Sequence, residues 1–403
     1  MKQFKGWLLN ASLVLGSLGV GVILGEIGLR LAGIQGAPKQ VGTGHETFAP
    51  SFFAASHPDR GWANLPGAKG WWEHEGRSYV EINQGGMRDR PYSVTKSENT
   101  FRVAVLGDSF TLASQVPMEQ NYTSVMETTL RRCIDLKSRS VEVLNFGVDG
   151  YSTAQELMTL RQAVWQYEPD AVVLAFFIGN DVIDNSKKLE SNHYRPFFNL
   201  ENGELILDDS FKELTSEYSD RYWITTVDRL PTGLINRSRI LQVIRKAELE
   251  NKKRNLLNHL NQLNAKNFRP PEDQTWQEAW NVTEVLLNQI NTEVKQRGAE
   301  FLLVLIGDPM QVRPEPEVRQ EFMRNHAIQN FFYPNQRLQK LGQERGFPVL
   351  DLAAPFQQRG ESTQVCLHGF ETAVPCGGHW NPQGHQFAGE LITDQLCQII
   401  AAR

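Results

Sequence analysis

Short runs of apolar residues recur along the last three quarters of the chain, separated by stretches of helical period. The runs lie at 102–106, 141–145, 171–178, 301–306 and 349–351. Each is short enough for a strand; 102–106 reads as a buried strand and 171–178 as a strongly apolar one. Between them, helical spacing appears near 119–136, 153–165 and 334–346. A last helix is predicted from Pro382, with Phe387, Leu391, Ile392, Leu396, Ile399 and Ile400 on one face. Strands alternating with helices predict an α/β fold: a three-layer α/β/α sandwich around a central, mostly parallel sheet.

Two stretches break this rhythm. Residues 36–100 are rich in Gly, Pro and aromatics, among them Phe48, Phe52, Phe53, Trp62, Trp71 and Trp72, with one strand-like stretch at 78–82. So many aromatics predict a compact preface packed on the core, since solvated linkers seldom carry them. Residues 186–280 form an insertion in the 101–403 domain. Its clearest feature is an amphipathic helix at 240–263, with Lys246, Lys252, Lys253 and Arg254 opposite a Leu/Ile stripe.

The N-terminus differs again. Lys2 and Lys5 precede an apolar run at 7–24, and Glu26 and Arg30 follow it. Such a run barely reaches the length of a bilayer span, and the flanking charges favour a cytoplasmic N-terminus. Residues 1–35 are therefore expected to be a signal-anchor, with the body outside the cytoplasm, periplasmic or extracellular. A cleaved signal peptide is the rival, but no clear cleavage site follows Leu24. The remainder has a soluble protein's composition, at 40% hydrophobic and 22% charged residues. A formal net charge of -5 without a basic stripe argues against nucleic acid as a partner. Four cysteines suit an oxidising compartment: Cys366 and Cys376 flank a short loop, and Cys133 and Cys397 fall on the first and last predicted helices. Two bridges or four buried thiols both fit that pattern.

Candidate chemistry sits at the ends of the predicted strands, where open α/β sheets place their sites. Gly107-Asp108-Ser109-Phe110 follows the first strand and puts Ser109 near a helix N-terminus. Asn145-Phe146-Gly147 follows the second, where the Gly147 N–H can face a reacting oxygen. Gly179-Asn180-Asp181 follows the third, and Asn180 can add an amide donor. His379-Trp380-Asn381-Pro382-Gln383-Gly384-His385 precedes the last helix, with Asn381-Pro382 as a natural helix start and His379 just outside it. Singly, each is a common turn or loop.

In this order, Ser109, Gly147, Asn180 and His379 resemble the four blocks of the SGNH (GDSL-type) hydrolase superfamily. The resemblance covers 101–403 without the middle stretch, and the preface segment 82–89 is similar to the one preceding the core in anchored members. The α/β-hydrolase elbow Gly-x-Ser-x-Gly is absent. The resemblance implies an SGNH/flavodoxin-like sandwich with Ser109 as nucleophile and His379 as its base. It also implies an oxyanion hole of the Ser109 and Gly147 N–H groups and the Asn180 amide. No cofactor is implied, and no ligand spacing suggests a metal. One departure stands out: where many members carry an aspartate, three residues before the histidine, this chain has Cys376. Glu371 is the nearest candidate in sequence for the third member. His385, Asp108 and Asp181 are expected to be structural, Asn83 a turn residue and Arg88 a surface one.

The activity expected on these grounds is hydrolysis of short-chain, O-acetyl esters on cell-envelope or extracellular glycans, with an acylated small molecule or glycan as partner and the membrane as a second. Acyl transfer onto an exopolysaccharide uses the same nucleophile and differs only in the acceptor. A lipid esterase or thioesterase, and a non-catalytic assembly protein, also fit these residues.

Overall fold

The computed structural model describes residues 2–37, 53–73, 75–133, 136, 138–214, 225–371 and 375–402, with backbone alone over 2–12 and 253–262 and at 15 and 18. At its centre lies a five-stranded parallel sheet. In chain order, β1 (Ala54–His57), β2 (Gly61–Asn64), β3 (Lys69–Trp72) and β4 (Ser78–Glu81) form two hairpins ahead of it. The sheet strands are β5 (Thr100–Gly107), β6 (Ser140–Gly147), β7 (Ala171–Phe177), β10 (Glu300–Ile306) and β11 (Val349–Asp351). A third hairpin, β8 (Phe197–Glu201) and β9 (Glu204–Asp208), lies in the insertion. The sheet order is β11-β10-β7-β5-β6, so the chain steps to opposite sides of β5 on leaving it and on returning. That reversal opens a crevice at the carboxyl ends of β5, β6 and β7.

The sheet is covered on both faces, as its apolar runs require. Alternate residues of β5 divide between the layers: Ala104 and Leu106 face one, Val103 and Val105 the other. The first layer packs Leu157 and Leu160 together with the helix Gln274–Gln296, whose Trp276, Trp280, Leu287, Ile290 and Val294 make a continuous stripe. The second packs Tyr122, Met126 and Leu130 against Ala388, Ile392 and Leu396. Both cysteine pairs are bridged. Cys133–Cys397 ties the two helices of the second layer, and Cys366–Cys376 closes a loop of sequence separation 10.

The preface holds the core through buried polar contacts. Trp62 Nε1 donates to the Asp149 carbonyl at 2.9 Å, and Asn64 Nδ2 donates to the Gly147 carbonyl at 3.0 Å. Asn83 is the expected turn residue, its Oδ1 accepting the N–H groups of Gly85 and Met87. Arg88 is not at the surface, as the sequence suggested. It is buried and donates to the carbonyls of Leu112, Ala113 and Val116, in the segment directly after Ser109. Removing a cation from water is costly, and three carbonyls in a loop that lacks regular pairing supply the compensation.

The chain divides into two compact units, Met1–Glu46 with Thr215–Asn261, and Thr47–Leu214 with Gln262–Arg403. The preface strands thus belong with the sheet, whereas the middle of the insertion joins the N-terminal segment. In that smaller unit the helix Lys2–Leu31 places Glu26 against the start of the helix Arg239–Asn267, accepting the N–H groups of Arg239 and Ile240 at 2.6 and 3.0 Å. A carboxylate there satisfies orphan donors that the helix cannot bond itself. The expected membrane span at 7–24 is not supported: among the described residues no helix is long and apolar enough to cross a membrane. Side chains 1–12 of the predicted anchor lie outside the described residues.

Candidate active site

Ser109 opens a single helical turn, Ser109–Leu112, at the end of β5. Asp108 caps it, accepting the Phe110 N–H at 2.9 Å. Gly107 has to be glycine, because a Cβ there would run into the Thr111 side chain that packs across the strand end. The half-buried Ser109 hydroxyl therefore stands on a rigid corner at the mouth of the crevice.

His379 arrives from the other end of the sequence. Asn381 starts the helix Pro382–Ala401 by accepting the Gln383 and Gly384 N–H groups, and its Nδ2 donates to the Cys366 carbonyl. The bridge at Cys366–Cys376 and the pairing of His368 with Trp380 hold the preceding loop. His379 Nε2 lies 2.8 Å from Ser109 Oγ. The Phe110 ring packs on the imidazole with centroids 4.8 Å apart.

The carboxylate on His379 is Glu75, a residue of the turn between β3 and β4. Its Oε2 meets His379 Nδ1 at 2.6 Å and its Oε1 accepts the His379 backbone N–H at 2.7 Å. Gly378, at φ +70, makes room, since a Cβ there would collide with the Glu75 carboxylate. Burial works against the charged imidazole, but the Glu75 bond and the charges of Glu75, Asp108 and Asp149 outweigh it, so His379 titrates above its ordinary value. Burial likewise opposes the Glu75 carboxylate, yet the His379 contacts bring its net pKa below the usual one. Glu371, the candidate from sequence, is exposed, and the position it was expected to fill is taken by Glu75. Sequence reasoning had no signal for this. Glu75 lies 304 residues from His379, in a stretch without periodicity.

The oxyanion donors are placed only in part as expected. The Gly147 N–H donates to Asn145 Oδ1 at 2.8 Å and so is already engaged. Gly147 serves close packing, as a Cβ there would overlap the backbone at Thr111 and Leu112. Three residues on, half-buried Gly150 adopts φ +68, and among the described residues its N–H makes no hydrogen bond. Gly150 lies in the loop directly after β6, at the carboxyl edge of the sheet where Gly107 and Gly147 are paired and Ser109 follows. Asn180 Nδ2 uses one hydrogen on Asp184 at 3.0 Å, leaving the second available.

The remaining polar residues are structural. His385 Nδ1 accepts the Tyr122 N–H at 3.3 Å inside the fold, and burial drives its pKa down. Asp181 Oδ2 accepts the Phe177 N–H at 2.8 Å. Behind the crevice, burial raises the carboxyls of Glu156 and Asp181 well above their usual range and Asp108 to about 6. Among the described residues no group of three or more His, Cys, Asp or Glu side chains is placed to hold a metal ion.

A hydroxyl, an imidazole and a carboxylate in one hydrogen-bonded line, beside open amide donors, can activate an alcohol for attack on a carbonyl carbon. The family comparison agrees with this class. Residues 103–392 match the family model of the GDSL-like lipase/acylhydrolases, and the chain belongs to that family. It is a hydrolase of the SGNH/GDSL type, acting on ester bonds. Among solved structures it is similar to the acetyl xylan esterase AlAXEase at 12% identity, over 73% of this chain and 100% of that one, with a TM-score of 0.37. A two-domain esterase active on acetylated mannans matches at 12% identity over 74% and 50% of the two chains, with a TM-score of 0.36. A lipase/acylhydrolase from Enterococcus faecalis matches at 15% identity over 74% and 96%, with a TM-score of 0.33. None of the three fixes the substrate of this chain. A comparison with curated proteins found no match.

Proposed function

We propose that the chain hydrolyses short-chain esters, foremost O-acetyl groups on envelope or extracellular glycans, by nucleophilic catalysis at Ser109. The observation that carries the mechanism is the unbroken line Ser109 Oγ, His379 Nε2, His379 Nδ1, Glu75 Oε2. Ser109 Oγ attacks the ester carbonyl as its proton passes to Nε2. The carbonyl π electrons move onto oxygen, which is held by the N–H groups of Ser109 and Gly150 and the Asn180 amide. Each such donor lowers the barrier by roughly 3 kcal/mol. Collapse of this intermediate breaks the ester C–O bond, and the imidazolium gives its proton to the departing alcohol. Water, deprotonated by the same Nε2, then attacks the acyl carbon; collapse breaks the bond to Ser109 Oγ, which takes the proton back from Nε2 as the acid leaves. Glu75 keeps Nδ1 protonated and stabilises the transient imidazolium without taking the proton itself.

A missing aspartate was the main support for a non-catalytic reading, and Glu75 removes it. Turnover of 4-nitrophenyl acetate, abolished in Ser109→Ala, is the expected result; equal turnover by both proteins defeats the proposal. Location outside the cytoplasm is part of the same proposal and is supported by the two disulfides. Membrane association of the helix Lys2–Leu31 is supported by Leu13, Val14, Val20, Val22, Ile23 and Leu24, all exposed along it. Fractionation of unextracted membranes tests this: recovery of the whole chain in the soluble fraction contradicts it.

A further inference from the structure

The turn that carries Glu75 joins two strands whose outer face keeps large rings exposed. On the inner side, Ser78 and Val80 are buried, with Val80 in a small core of Phe53, Ile82 and Leu112. On the outer side, Trp71 and Tyr79 are cross-strand partners and remain 54% and 46% exposed. Their rings meet edge to face with centroids 5.4 Å apart, and the Arg77 guanidinium lies 4.7 Å from the Trp71 centroid. The result is a rigid aromatic ridge, held open to solvent and stiffened by contacts that cost the fold a large apolar exposure.

Charge narrows what the ridge suits. Lys69 is paired with Glu81 at 2.5 Å, and Arg77 with Glu73 at 3.3 Å. The flanks are therefore neutral overall and offer no net field to an anionic lipid surface or an acidic peptide. Flat rings beside paired charges fit a neutral ligand with apolar C–H faces and hydroxyls at its edges, which describes a pyranose chain. The ridge is also tied to the catalytic line. Trp72, next to Trp71, donates its Nε1–H to the Glu75 carbonyl at 2.9 Å. Trp71 and Glu75 are four residues apart, at most about 14 Å along an extended chain. A short oligosaccharide spans that distance.

We propose that Trp71, Tyr79 and Arg77 form a glycan-binding platform that docks the carbohydrate chain whose acyl ester reaches Ser109. This rests on the ester-hydrolase reading of the Ser109 site and narrows its substrate class to acylated polysaccharide.

Calorimetric titration of the full chain carrying Ser109→Ala, with acetylated and unacetylated xylo- and manno-oligosaccharides, tests it. Binding of at least one series is expected, weakened about tenfold by Trp71→Ala and largely kept by Trp71→Phe. In the active protein, Trp71→Ala should lower kcat/KM on the acetylated oligosaccharide about tenfold and leave 4-nitrophenyl acetate turnover unchanged. Absence of oligosaccharide binding, equal binding by Trp71→Ala, or a parallel loss on both esters overturns the platform. So does a loss in Trp71→Ala confined to phosphatidylglycerol vesicles. Retained oligosaccharide binding in a protein that turns over no aryl acetate would uphold the platform and refute the esterase reading instead.

Discussion

Glu75 grips His379 at two points, its Oε1 on the backbone N–H at 2.7 Å and its Oε2 on Nδ1 at 2.6 Å. One carboxylate thus fixes both where the imidazole stands and which nitrogen holds the proton. The residue belongs to the preface, ahead of the matched 103–392 domain. Glu75→Gln keeps the shape but can present its amide hydrogens to Nδ1 and favour the wrong tautomer. Its kcat on 4-nitrophenyl acetate should fall on the order of 10²–10⁴-fold, while Glu371→Gln stays near wild type. Glu75→Asp should recover part of the loss.

The same pair sets the pH profile. His379 must be neutral to take the Ser109 proton, and its pKa is raised, so kcat/KM should decline on the acid side from above the ordinary histidine value of about 6.5. Removing the Glu75 charge lets burial dominate. The acid limb of Glu75→Gln should then move to lower pH on a lower plateau. A limb that moves up or stays fixed contradicts the assignment.

Asn180→Ala removes a donor aimed at charge that exists only in the transition state. It should reduce kcat by about 10²–10³-fold with little change in KM. Gly147→Ala should behave differently, lowering Tm because the new Cβ meets the Thr111–Leu112 backbone. Steady-state kinetics beside thermal melts separate the two.

His379→Asn should abolish turnover. His385→Asn removes the acceptor of the buried Tyr122 N–H and should cost about 1–3 kcal/mol of stability, with activity largely kept below the melting range.

Much of the sandwich is legible in the sequence because fully buried strands leave an unmistakable apolar run. The runs at 171–178 and 301–306 differ from the buried β7 and β10 by one residue at an end, and that at 349–351 coincides with β11, an edge strand only half-buried. The helix Gln274–Gln296 is not legible in this way, since its apolar stripe is diluted by the polar face of an amphipathic helix adjoining a long insertion. Local turn chemistry marks both Ser109 and His379. Glu75 and Arg88 carry no such mark, because each acts through a tertiary contact: a carboxylate meeting a ring across 304 residues, and a cation reaching three carbonyls. Gly147 ends its strand and Gly150 does not, so the sequence favours Gly147; only the Asn145 side chain reveals that its N–H is spent.

The most direct test is peptide mapping of a fluorophosphonate adduct, with its rate of formation measured in wild type and in Glu75→Gln. The adduct is expected on Ser109 alone, forming at least about a hundredfold more slowly in the variant. Labelling of a different serine, or an unchanged rate at Ser109 without the Glu75 carboxylate, would contradict the account.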